Sequence, residues 1–115
     1  MNTITTPSDF KGQSVDAIAG YFDTMYKMSN LNYDYTRSDF YCGITNNIDS
    51  NLSRHNIEGY TACVECSSFE ISSQVEERLG NMGFDIGNPN NPAGNGGADD
   101  STIVYMAYKE AGFKK

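Results

Sequence analysis

"YCGITNNIDSNLSRH", residues 41–55, holds a strand, a helix start and a helix in fifteen positions. With Phe40 in front of it, "FYCGI" is aromatic and apolar, as a buried strand is. "TNNIDS" then offers several oxygen-bearing side chains that can accept from free N–H groups at a helix start. Ile48, Leu52 and His55 follow at spacings of four and three, one face of a short helix. Any fold built on this segment places a helix directly behind a strand.

Upstream, Tyr33 and Tyr35 alternate with polar residues, and "TRSD" is turn chemistry. This predicts a β-hairpin, Leu31–Tyr35 paired with Phe40–Ile44. Before it, Ser14 is positioned to cap a helix. Val15, Ile18, Ala19, Phe22, Met25 and Tyr26 form one apolar stripe, and the helix should end near Ser29-Asn30. Residues 1–13 read as a loose arm, which leaves 14–115 as one α+β domain.

Downstream, Tyr60–Cys66 reads as a strand. Ser67 with Glu70 forms a capping box, and Ile71, Val75, Leu79 and Met82 mark the helix behind it, with Gly83 as its stop. "TIVYMAY", residues 102–108, is apolar on both faces and predicts a strand covered on both sides. The order is helix, hairpin, helix, strand, helix, strand. That is a mostly antiparallel sheet with an added N-terminal amphipathic helix.

Composition narrows the function classes. The 115 residues suit a single domain. There is no apolar run of membrane-spanning length and no secretory pattern, so a cytoplasmic chain with no membrane partner is expected. Fifteen acidic residues face eight basic ones, for a net charge of −7. Binding along a duplex needs many Lys and Arg to neutralise phosphates, so long nucleic acid is not an expected partner. A small anion is compatible, because one Arg and a few N–H groups can hold it. Three cysteines and one histidine could in principle assemble zinc from Cys42, His55, Cys63 and Cys66. Residues three apart on a strand point to opposite faces, however, which favours buried free thiols. Exposed aromatic side chains and a small core make a homo-oligomer the expected state.

Tyr41, Gly43, Thr45, Ile48, Leu52 and His55 follow the pattern Tyr-x-Gly-x-Thr-x-x-apolar, then Arg, then His. Over residues 31 to 91, and most closely over 41 to 55, the chain resembles the GIY-YIG nuclease superfamily. The resemblance implies Mg²⁺-assisted phosphodiester hydrolysis. Tyr41 and Tyr35 would handle water and phosphate, Glu76 would hold the metal, and Asn88 falls twelve residues beyond it, where the family carries an Asn. His55 would act as an acid or base or touch phosphate; a packed helix-end histidine is the plainer alternative. Two departures stand out. The first tripeptide is replaced by "YDY", and Asn51 occupies the arginine position. Losing such a charge stabiliser costs roughly 3–4 kcal/mol in the transition state. Arg54, three residues on, can reach the same phosphate; as a plain surface residue it would instead pair with Asp49 or Glu58.

The departures and the acidic charge together favour a binder over an enzyme. In that reading the nuclease-like pocket takes a nucleotide-like ligand and needs no cofactor. Tyr33, Phe40 and Tyr41 stack on bases, and Asn51 and Arg54 hold phosphate. Asn88, Asn90 and Asn91, in the Gly/Asn/Pro segment 87–101, add an anion nest. Sequestering a cyclic nucleotide signal, as phage anti-defence sponge proteins do, is an analogy of size, charge and lost catalysis. The alternatives are a small Mg²⁺-dependent nuclease, with Tyr41, Tyr35, Arg54 and His55 catalytic and Glu76 on the metal, and an acidic protein-binding module that mimics nucleic acid.

Overall fold

A computed structural model describes residues 4–86, 101–109 and 113. In chain order the elements are β1 (Ser8–Asp9), α1 (Val15–Ser29), a 3₁₀ turn (Arg37–Asp39), β2 (Phe40–Thr45), α2 (Ile48–His55), β3 (Ala62–Glu65), α3 (Phe69–Met82) and β4 (Ile103–Tyr108). The sheet order is β1-β3-β4-β2. β4 runs antiparallel to both β2 and β3, and β1 runs parallel to β3. The α+β class expected from the sequence is the class observed.

β4 is interior, as its two-faced apolar pattern requires, and its side chains alternate between two cores. Val104 and Met106 join Phe40, Cys42, Ile44, Ala62 and Val64 beneath α1 and α3. Ile103, Tyr105 and Ala107 face the other way, with Tyr41, Tyr60 and Cys63, and α2 covers them through Ile48 and Leu52. Burying a side chain the size of Phe22 or Leu79, both closed to solvent, stabilises by about 1.5–3 kcal/mol. The three thiols are free and buried, Cys42 and Cys66 in the first core and Cys63 in the second. Among the described residues no three or more His, Cys, Asp or Glu side chains gather to hold a metal ion, so the zinc arrangement is not formed. No helix among them is long and apolar enough to cross a membrane.

α1 has the predicted limits. The Ala17 N–H donates to Ser14 Oγ at 3.1 Å, and Ile18, Ala19, Phe22 and Tyr26 are buried. α3 starts one residue later than the Ser67–Glu70 box implies. Ser68 Oγ, not Ser67, accepts from the Ile71 N–H at 3.2 Å. Adjacent serines offer the same capping chemistry one position apart, so the pattern alone does not choose between them. Gly83 closes the helix at φ 114°, a left-handed conformation that favours glycine.

The predicted hairpin does not form. Residues 31–36 are not a strand. The Tyr35 N–H donates to Asn30 Oδ1 at 2.8 Å, while the Tyr35 carbonyl accepts from Asn30 Nδ2 at 2.9 Å and from the Tyr26 hydroxyl at 3.0 Å. The groups a hairpin ladder needs are thus taken by two side chains of the helix end. Arg37 pins the following turn, donating to Asp23 Oδ1 through Nε at 2.9 Å and Nη2 at 2.8 Å and lying over the Tyr26 ring. β4 occupies the β2 edge that the hairpin would have used. On its other edge β2 meets Asp85, which accepts from the Cys42 N–H at 2.8 Å and donates to the Phe40 carbonyl at 3.0 Å.

The described part of the N-terminal arm is tied down. Ile4 and Tyr60 exchange two backbone hydrogen bonds of 2.8 Å, and the Phe10 N–H donates to the Glu65 carbonyl at 2.9 Å. Segment 4–10 thereby lines the outer edge of β3.

Candidate functional site

α2 is fixed at both ends by asparagine. The Ser50 N–H donates to Asn47 Oδ1 at 3.0 Å. Asn56 turns left-handed at φ 58°, returning its N–H to the carbonyls of Leu52 and Ser53. With Ile48 and Leu52 on the sheet, Asn51 and His55, one turn apart, are carried into the second core. They are 4% and 0% exposed. Polar groups so buried must be hydrogen-bonded.

Three tyrosines meet them. The Tyr60 hydroxyl donates to Asn51 Oδ1 at 2.5 Å. The Tyr105 hydroxyl lies 2.7 Å from His55 Nε2, and the Asn51 side chain also hydrogen-bonds Tyr105. The Tyr41 ring packs on His55 at 5.3 Å and on Tyr105 at 6.3 Å between centroids. Tyr105 stands directly opposite Gly43 in the ladder. A Cβ at Gly43 would collide with the Tyr105 hydroxyl oxygen, so the glycine is what lets that hydroxyl cross β2.

The proton positions follow from the donors. Arg54 Nη2 lies 3.3 Å from His55 Nε2, and a guanidinium can only donate. For a neutral imidazole that contact makes His55 Nε2 an acceptor, to which the Tyr105 hydroxyl can also donate. Burial keeps the Tyr105 phenol protonated, with the neighbouring Tyr41 adding to the effect and Asn51 opposing it. Burial pushes Tyr41 up to about 12, helped by the Glu76 carboxylate and opposed by Arg54. Tyr60 is raised as well, first by burial and then by Tyr105. All three phenols are neutral donors at neutral pH.

Glu76 stands on α3, which packs on the first core, across the sheet from this group. It is 0% exposed, and neither carboxylate oxygen has a hydrogen-bond partner among the described residues. Burial alone lifts it to about 9, so it is a neutral acid at pH 7. Its charge, when present, is felt at Tyr41, Cys42 and Tyr105.

The structure therefore assembles Tyr41, Asn51, Arg54 and His55 on one face, with Glu76 within electrostatic reach of Tyr41. Arg54 is exposed and, among the described residues, forms no ion pair with Asp49 or Glu58. Tyr33, Tyr35 and Phe40 do not belong to the group. Tyr33 stacks on Tyr35 at 4.9 Å, Tyr35 packs on Phe40 and Tyr108, and Phe40 is closed inside the first core. Phe40 and Tyr41 are successive on β2 and face opposite sides of the sheet, and Tyr35 stays with Phe40. Asn88, Asn90 and Asn91 lie outside the described residues. Tyr60 and Tyr105 were not anticipated. The available signal was the central position expected for "TIVYMAY", which makes Tyr105 a near neighbour of any tyrosine on an adjoining strand.

A surface hollow of about 350 Å³ lies elsewhere, lined by Ser14, Gln74, Glu77 and Asn81 and spanned by the Arg78–Asp16 ion pair. No family model, curated protein or solved structure matches the chain.

Proposed function

We propose that the face built by Tyr41, Asn51, Arg54, His55 and Tyr105 binds a nucleotide-like ligand and does not hydrolyse it. One observation carries this reading: an exposed guanidinium, Arg54, stands at the rim of a group otherwise made of neutral aromatic donors and acceptors. Flat rings suit bases, and a guanidinium suits one phosphate. We also propose the GIY-YIG kinship, with the strand order permuted. The antiparallel neighbour that the resemblance implies for β2 is β4, from the far end of the chain, and Tyr105 takes the role expected of Tyr35. Support for lost catalysis comes from Asn51. It stands in the arginine position, carries no charge, and is already bonded to Tyr60 and Tyr105.

A Mg²⁺-dependent nuclease is the second reading, favoured by the unpartnered carboxylate of Glu76. Glu76 would hold the cation, but it is buried across the sheet from Arg54, and among the described residues no group of three or more His, Cys, Asp or Glu side chains forms there. Labelled oligonucleotides incubated with the protein and Mg²⁺ separate the two. The binder leaves them intact, while cleavage that disappears in Glu76→Ala overturns it.

A further inference from the structure

The candidate site is closed. Tyr41 is 3% exposed, and His55, Tyr60 and Tyr105 are 0% exposed. A ligand reaches these groups only if something moves off them. The outermost ring of the cluster is Phe113, beyond the end of β4. It lies parallel to the His55 imidazole, 5.2 Å between centroids and 3° between planes, and 5.5 Å from the Tyr41 ring. Phe113 is itself partly exposed, whereas the rings beneath it are buried. Among the described residues its contacts are with rings and apolar side chains, without the hydrogen bonds that fix Asn51, Tyr60 and Tyr105.

We propose that Phe113 plugs the site, its ring holding the place over His55 and Tyr41 that the planar base of the ligand takes on binding. The inference rests on the nucleotide-binding reading given above. A base is flat and polarisable and stacks on histidine and tyrosine as a phenyl ring does. It has what Phe113 lacks, a phosphate that the adjacent, exposed Arg54 can take. The plug keeps the aromatic surface covered in the free protein and lowers the apparent affinity by the fraction of chains in which the ring is seated.

The test compares the full-length protein with Phe113→Ala and with Phe113→Leu, which keeps apolar bulk but not a flat ring. The chain has a single histidine, so its ring protons are identified in a proton NMR spectrum without assignment. Loss of the stacked phenyl moves them downfield in both variants; unchanged resonances would show that Phe113 does not cover His55 and would overturn the proposal. Calorimetric titration with linear and cyclic adenine dinucleotides gives the second readout. Phe113→Ala binds about three- to tenfold more tightly than the parent, with Phe113→Leu between them. Equal or weaker binding, with the NMR change present, overturns the plug and leaves the binding site standing. No binding by any of the three proteins, with the NMR change present, instead overturns the nucleotide reading itself and takes the plug's occupant with it.

Discussion

The hydroxyl of Tyr105 stands 2.7 Å from Nε2 of His55 and crosses β2 at a residue with no side chain, Gly43. The two partners lie fifty residues apart in the chain. Their contact holds α2 against the central strand and sets the chemistry of the second sheet face.

Gly43→Ala tests that crossing. The added Cβ would collide with the Tyr105 hydroxyl oxygen and lie 2.7 Å from its Cζ, inside contact distance. Overpacking of this kind costs about 1–3 kcal/mol. Urea unfolding should show a lower midpoint with an unchanged slope, and combining the change with Tyr105→Phe should recover part of the loss. An unaltered midpoint for Gly43→Ala would contradict the packing described.

Tyr60→Phe removes the donor to Asn51 Oδ1 and leaves a buried acceptor one bond short. The expected cost is about 1–3 kcal/mol, because an unmet buried polar atom keeps its desolvation penalty. The coupling should appear in a double-mutant cycle. With Asn51→Leu already present, Tyr60→Phe should cost clearly less than it does alone.

Glu76 makes stability depend on pH. Its folded pKa, raised by burial to about 9, exceeds the 4.5 of a free glutamate. Below pH 4.5 the side chain is protonated whether the chain is folded or not, and its full contribution is present. Between there and about 9 the unfolded chain ionises while the folded chain keeps its proton, so stability falls as pH rises. The steepest loss is about 1.4 kcal/mol per pH unit. Denaturant midpoints from pH 5 to 9 should decline in the parent and flatten in Glu76→Gln; parallel profiles would show that Glu76 does not titrate in this window.

Much of this was legible in the sequence, and the failures share a cause. The apolar stripe from Val15 to Tyr26 and the run Ile71, Val75, Leu79 are local patterns. Each gave a helix with its buried face correct, and the two-faced apolar run of β4 gave its interior position. Strand pairing is not local. Tyr33 and Tyr35 alternate as a strand does, but Asn30 and Tyr26 capture the Tyr35 backbone, a tertiary contact that no period reveals. Tyr33 and Tyr35 left the candidate site with that error. Tyr41, Asn51, Arg54 and His55 come from one continuous segment and stayed together. Their partners, Tyr60 and Tyr105, arrive from strands whose neighbours only the assembled sheet determines. Ser67 against Ser68 was a smaller miss, a choice between equal caps.

The central claim is that Arg54 anchors a nucleotide-like ligand on the Tyr41–His55 face. Calorimetric titration of the protein with mononucleotides and with linear and cyclic dinucleotides tests it most directly, with Arg54→Ala alongside. The account predicts saturable one-site binding of at least one member of the panel, weakened by about tenfold or more in Arg54→Ala, as loss of a charge-assisted bond requires. A panel that produces no heat of binding, or an affinity that Arg54→Ala leaves intact, would contradict it.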